Sequence, residues 1–241
     1  MDSRIISYVL QDAGILIEAA LVLYVAWSSQ WKRQAAAAFY LTCLLVAQLT
    51  RACVLHAYGF ASQRYYYIYW STDFLLVLSA YLAVCLLFRR AGLREEKNWR
   101  LIRLLLVSVF VLVAALSGVS LSLNRNEFFT YFIIAFNQNL YFACLALNTL
   151  LYVLLQYIDS TDDELALLVC GVGIQFAGPT ATLALLHLTA GERFAQSLTA
   201  SVMPLCSLGM LLVWAYAITH AKDAATQITR RVAEATADLN V

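Results

Sequence analysis

Seven stretches of mostly apolar residues follow one another along the chain with little between them. They lie at roughly 8–29, 36–58, 66–88, 101–123, 128–157, 165–188 and 195–219. Each is close to the about 20 helical residues that a hydrocarbon core of about 30 Å demands. In lipid a segment must satisfy its own backbone N–H and C=O groups, so stretches of this kind are helices. Composition closes off the soluble alternative. Hydrophobic residues make up 62% and charged residues 13%, whereas a soluble domain carries about 25% charged residues. Too little polar surface remains to coat a water-soluble fold. The expectation is an all-α, polytopic membrane protein, a seven-transmembrane-helix bundle at residues 1–220 with a short helical tail at 221–241. A chain of 241 residues leaves no room for a second folded domain.

A net charge of +1 argues for no nucleic-acid partner. The first stretch is flanked by Asp2, Arg4 and Asp12 rather than by a basic segment, so it reads as a span and not as a cleaved signal peptide. Cys43, Cys53, Cys85, Cys144, Cys170 and Cys206 all fall inside spans, without CxxC or Cys/His metal spacing, and read as small apolar packing residues.

Loop charge sets the topology. Lys32, Arg33, Arg89, Arg90, Arg94, Lys97, Arg100, Arg103, Lys222, Arg230 and Arg231 fall on one side of the bundle. Arg4, Arg64, Arg125 and Arg193 fall on the other. The N-terminus is therefore expected outside and the C-terminus in the cytoplasm. One cytoplasmic loop is acidic without a base of its own: Asp159, Asp162, Asp163 and Glu164. The run from Ser160 to Glu164 reads as an N-cap with first-turn acids opening span six.

Aromatic residues mark the boundaries. Tyr65, Tyr66, Tyr67, Tyr69 and Trp70 crowd the outer start of span three, and Trp27, Trp31, Trp99 and Trp214 lie near inner ends. Amphipathic rings settle at the headgroup level, which makes this an aromatic belt; an aromatic ligand box is the sharper reading of the tyrosine cluster. Span six carries Gly171, Gly173 and Gly178, small residues that let helices approach closely in lipid. Pro179, and Pro204 in span seven, predict kinks at similar depth. Two such kinks either open a cavity or are simply tolerated.

Ionisable residues at membrane depth are costly and seldom lack a partner. Asp12 lies close to the outer end; Glu18, Arg51 and Asp73 lie deep. At about 1.5 Å per residue, Arg51 and Asp73 both fall about 6 Å outside the midplane, on adjacent antiparallel spans. They are expected to pair. Glu18 and Gln48 fall near the midplane. Span five adds Asn137, Gln138 and Asn139, span six Gln175, and span seven Thr199 and Ser201. Three readings of this polar layer stand: interhelical hydrogen bonds that fix the bundle, a small polar or anionic ligand site open to the outside, and a proton or ion path through Glu18. No HExxH, GxSxG or Walker loop is present, and span seven has no lysine for retinal chemistry. The expectation is a non-enzymatic protein without a cofactor.

Beyond span seven, Ile218, Ala221, Ala225, Ile228, Val232, Ala235 and Leu239 repeat at spacings of three and four. This is a heptad stripe. The tail either lies on the inner membrane face or forms a short coiled-coil-like stalk for a homodimer or a membrane-complex partner.

The run Tyr65-Tyr66-Tyr67-Ile68-Tyr69-Trp70-Ser71, with Gly171-Val172-Gly173-Ile174-Gln175-Phe176-Ala177 in span six, resembles a pattern in seven-helix proteins of environmental bacteria, notably acidobacteria. That family has no assigned activity, so the resemblance implies the fold and no mechanism. The resulting expectation is a receptor-like or sensory module of the bacterial inner membrane. The alternatives are an accessory or scaffold subunit of a larger membrane complex and, third, a small-solute transporter.

Overall fold

The computed structural model describes residues 3–27, 33–59, 62–91, 96–122, 128–158, 162–188 and 202–220. Among these there are seven helices and no strand. They are α1 (Ser3–Trp27), α2 (Ala35–Tyr58), α3 (Gln63–Ala91), α4 (Glu96–Ser122), α5 (Phe128–Tyr157), α6 (Asp163–Leu188) and α7 (Val202–His220). Six of them, α2 to α7, are long and apolar enough to cross a membrane, and the described apolar part of α1 is the shorter run Ala13–Trp27. The fold is that of a multi-pass membrane protein. The expected beginning of span seven, residues 195–201, and the tail beyond residue 220 lie outside the described residues, as does Ser201.

Local chemistry explains the helix ends. A run of four alanines opens α2, the best helix formers available. Gly59 closes it at φ 73°, a left-handed conformation that costs glycine little, and its N–H returns to Leu55 O at 2.9 Å. Asp162 precedes α6, and its Oδ1 accepts the N–H of Leu165 at 3.3 Å, capping the helix. Pro179 lies inside α6, which continues through it; Thr182 donates its hydroxyl back to Gly178 O or Pro179 O.

α3 is the centre of the bundle. It packs most extensively on α2 and also touches α4, α5 and α6. α1 lies on α2, and the two meet α7 where Val25, Ala38 and Ile218 are buried together. The continuous core runs through Leu41, Val84, Leu140, Leu151, Leu168 and Leu211. The outside of the bundle is apolar as well. Leu101, Leu104, Val107, Val111 and Val119 line the outer face of α4, with Leu104 70% exposed. A wall of that composition suits contact with lipid.

Two expectations about side chains need correction. Trp214 is not a belt residue: it is 1% exposed, whereas Trp27 is 94% exposed. Gly171 is the reason. A Cβ at that position would stand 2.5 Å from the Trp214 ring. The bare backbone lets the indole lie flush on α6 and donate its N–H to Leu168 O at 2.9 Å. The edge of Tyr40 completes the pocket, ring centroids 5.9 Å apart. The cysteines are also less uniform than packing residues would be. All six are free thiols; Cys144 is buried, but Cys53 and Cys170 are exposed on the apolar wall.

Candidate functional site

Polar side chains gather in two places, and α3 contributes to both. Towards its N-terminal end, Asp73 meets Arg51 of α2 with Nη2–Oδ1 at 3.2 Å. The guanidinium is held on three further sides. Its Nε donates to Thr72 Oγ1 at 2.7 Å, its Nη2 to Tyr69 O at 3.3 Å, and its plane lies 4.4 Å from the Tyr69 ring centroid. Thr72 can accept because its own hydroxyl proton is committed to the backbone at Ile68 or Tyr69. The second carboxylate oxygen of Asp73 accepts from Asn137 Nδ2 of α5 at 2.7 Å. The pair is therefore bridged across three helices. The two charged side chains remain 20% and 22% exposed, so the site is not sealed.

The other expected layer residues distribute around this centre. Gln48 donates to Glu18 across α2 and α1 at 2.8 Å. Asn139 turns to α4 and donates to Ser117 Oγ at 3.1 Å. Gln138 is half-buried on the helix face between Asn137 and Asn139. The run of three amides in α5 thus points in three directions, because successive helical residues are about 100° apart. Asn137 is the member of the three that reaches Asp73. Gln175 reaches the Tyr40 hydroxyl deeper in the bundle. It also borders a crevice with Ala80, Ala83, Phe176 and Met210 that has no room for a water molecule. Ile218 is buried inside the bundle, so it does not face a second chain. Ala225, Ile228, Val232 and Leu239 lie outside the described residues.

The second gathering lies at the opposite end of α3, and sequence reasoning missed it. Arg90 spans Asp162 and Glu164, with Nη2 2.8 Å from Asp162 Oδ2 and 3.1 Å from Glu164 Oε2. Arg33, in the link between α1 and α2, adds Nη2–Asp162 Oδ1 at 3.1 Å and Nε–Glu164 Oε2 at 2.5 Å. Arg90 Nη1 also donates to Arg33 O at 2.9 Å. Two guanidinium forks and two carboxylates thus fasten the α1–α2 link, the end of α3 and the start of α6. Glu164 is 3% exposed within this clamp. Burial alone would raise the Asp162 carboxyl, but the Arg90 charge and hydrogen bonds, the Leu165 N–H and Arg33 together hold it below the usual carboxylate range. The clue was the acidic loop without a base, facing the same side as Arg33 and Arg90. The chain matches no protein-family model, no curated protein and no solved structure.

Proposed function

We propose that this chain is a non-enzymatic, receptor-like sensory protein of the bacterial inner membrane, with its N-terminus outside and its C-terminus in the cytoplasm. One observation carries the reading: the central helix bears two charge clusters, one in its N-terminal half at residue 73 and one near its C-terminal end at residue 90. At about 1.5 Å per residue these are about 25 Å apart. A small polar or anionic solute that competes for Arg51 would free Asp73 and Asn137 and change how α3 seats against α2 and α5. At the other end, α3 moves only with the Arg90 clamp. Differential binding to two seatings of one helix is what couples two distant sites. The loop-charge asymmetry supports the orientation, and the heptad stripe at 221–241 supplies an exit to a partner or dimer mate. A second reading has its own support. All four charges of the clamp, and the Arg51–Asp73 pair, are already partnered within the chain, which suits a rigid scaffold or accessory subunit.

Backbone hydrogen exchange on the full chain in lipid nanodiscs separates the two readings. In the sensory reading Arg51→Met accelerates exchange at residues 162–166, at the far end of the molecule. Unchanged protection there, with the rest of the bundle still folded, leaves the scaffold reading.

A further inference from the structure

Glu18 and Gln48 meet between α1 and α2, about one helical turn deeper along α2 than Arg51. Glu18 is 1% exposed. Gln48 Nε2 donates to Glu18 Oε1 at 2.8 Å. The remaining oxygen of each group, Glu18 Oε2 and Gln48 Oε1, is buried and has no hydrogen-bond partner. No ion pair among the described residues includes Glu18.

Among the described residues the surroundings supply no counter-charge. On α2, Tyr40 is a titratable group within electrostatic reach; its hydroxyl oxygen meets Gln175 of α6, and Glu18 Oε2 accepts no hydrogen bond from it. Arg51, further along α2, is occupied by Asp73 and Thr72. On α7, Cys206 lies against Gly178, and Tyr216 and His220 stack on each other at the surface. A carboxylate here would leave a charge uncompensated and two acceptor oxygens without a donor, each a desolvation cost. A carboxylic acid has a different inventory. It offers one O–H donor, and the amide offers both a donor and an acceptor. Acid and amide then close a reciprocal pair, N–H to O on one side and O–H to O on the other. The first of these bonds is already made. A single proton on Glu18 Oε2 supplies the second and satisfies both orphan atoms.

We propose that Glu18 and Gln48 form a proton-binding site at membrane depth, in which one proton sits on Glu18 Oε2 and is donated to Gln48 Oε1. Loss of that proton removes one of the two bonds and strands a charge between α1 and α2, so the seating of α1 on the bundle becomes pH-dependent. The proposal does not rest on the sensory reading and holds for a scaffold equally.

Infrared difference spectroscopy of the full chain in lipid bilayers tests it. The wild type should carry a protonated-carboxyl C=O band that persists at neutral pH and vanishes on alkaline titration. Glu18→Gln should lack the band and still fold, since an amide pair keeps both reciprocal bonds. Gln48→Leu should shift the band, because the protonated carboxyl loses the amide oxygen to which it donates. If that variant does not fold, the wild type and Glu18→Gln suffice. Three results would overturn the proposal: titration in the ordinary range near pH 4, a band that survives in Glu18→Gln, or a midpoint that follows sodium concentration at constant ionic strength, which would mark a metal-cation site.

Discussion

Asp162 does two jobs with one carboxylate. It caps α6 through the Leu165 N–H and receives Arg90 and Arg33. The consequence is a defined pH response. The unfolded chain takes up a proton at the ordinary carboxylate value near 4. The folded chain resists until a lower pH, because Arg90 and its companions hold the group charged. The stabilisation is therefore complete above the ordinary range and is lost as pH falls through the lowered folded value. Asp162→Asn retains a capping side chain but loses the charge. Its melting temperature should lie below that of the wild type at pH 7, and the gap should narrow on acidification towards pH 3. A gap that stays constant with pH would mean the arginines gain nothing from the Asp162 charge. Gly171 acts at the same scale with no side chain at all, since its bareness is what admits Trp214.

Between elements, the Arg51–Asp73 pair joins α2 to α3, and Asn137 extends the join to α5. Removing one charge leaves the other unpaired where water is scarce. Arg51→Met or Asp73→Leu alone should cost about 3 kcal/mol, the low end for buried pairs because both side chains keep some exposure, and the double variant should cost less than the sum. A thermodynamic cycle measured by denaturation in mild detergent decides the point; strictly additive losses would show that the two groups do not interact. Much at this scale was legible in the sequence. The helices announce themselves as apolar runs of bilayer length, and the shared depth of residues 51 and 73 follows from counting along two antiparallel spans. Rotation about the helix axes was not legible. In a soluble helix the apolar stripe marks the inner face, but here the lipid-facing side is apolar too, so nothing in the pattern of α7 marks Trp214 as inward. The Arg90 clamp was hidden for a different reason. Its members come from three separate parts of the chain, with sequence separations of 72 and 129 between bonded partners, and only the packing of α3 among its neighbours brings them together.

For the whole molecule, the proposed orientation makes the clamp cytoplasmic and the Arg51 layer external. Tyr58, at the end of α2, and Ile158, in the turn after α5, are both exposed and lie at opposite ends of the bundle. In a background without native cysteines, an impermeant thiol reagent applied to intact cells should label Tyr58→Cys and spare Ile158→Cys until the membrane is opened. The reverse pattern would invert the proposed topology.

The close seating of Trp214 on α6 also equips the chain with an instrument of its own. The ring occupies the volume that a methyl group would take on any residue other than glycine. It cannot leave without giving up both the Leu168 carbonyl and the edge of Tyr40. Any event that parts α6 from α7 by the thickness of a side chain must move this indole from a dry, hydrogen-bonded slot into lipid or water. In a variant that keeps Trp214 and replaces the other four tryptophans, the colour of its emission thus gauges the gap between the two helices, with no label attached.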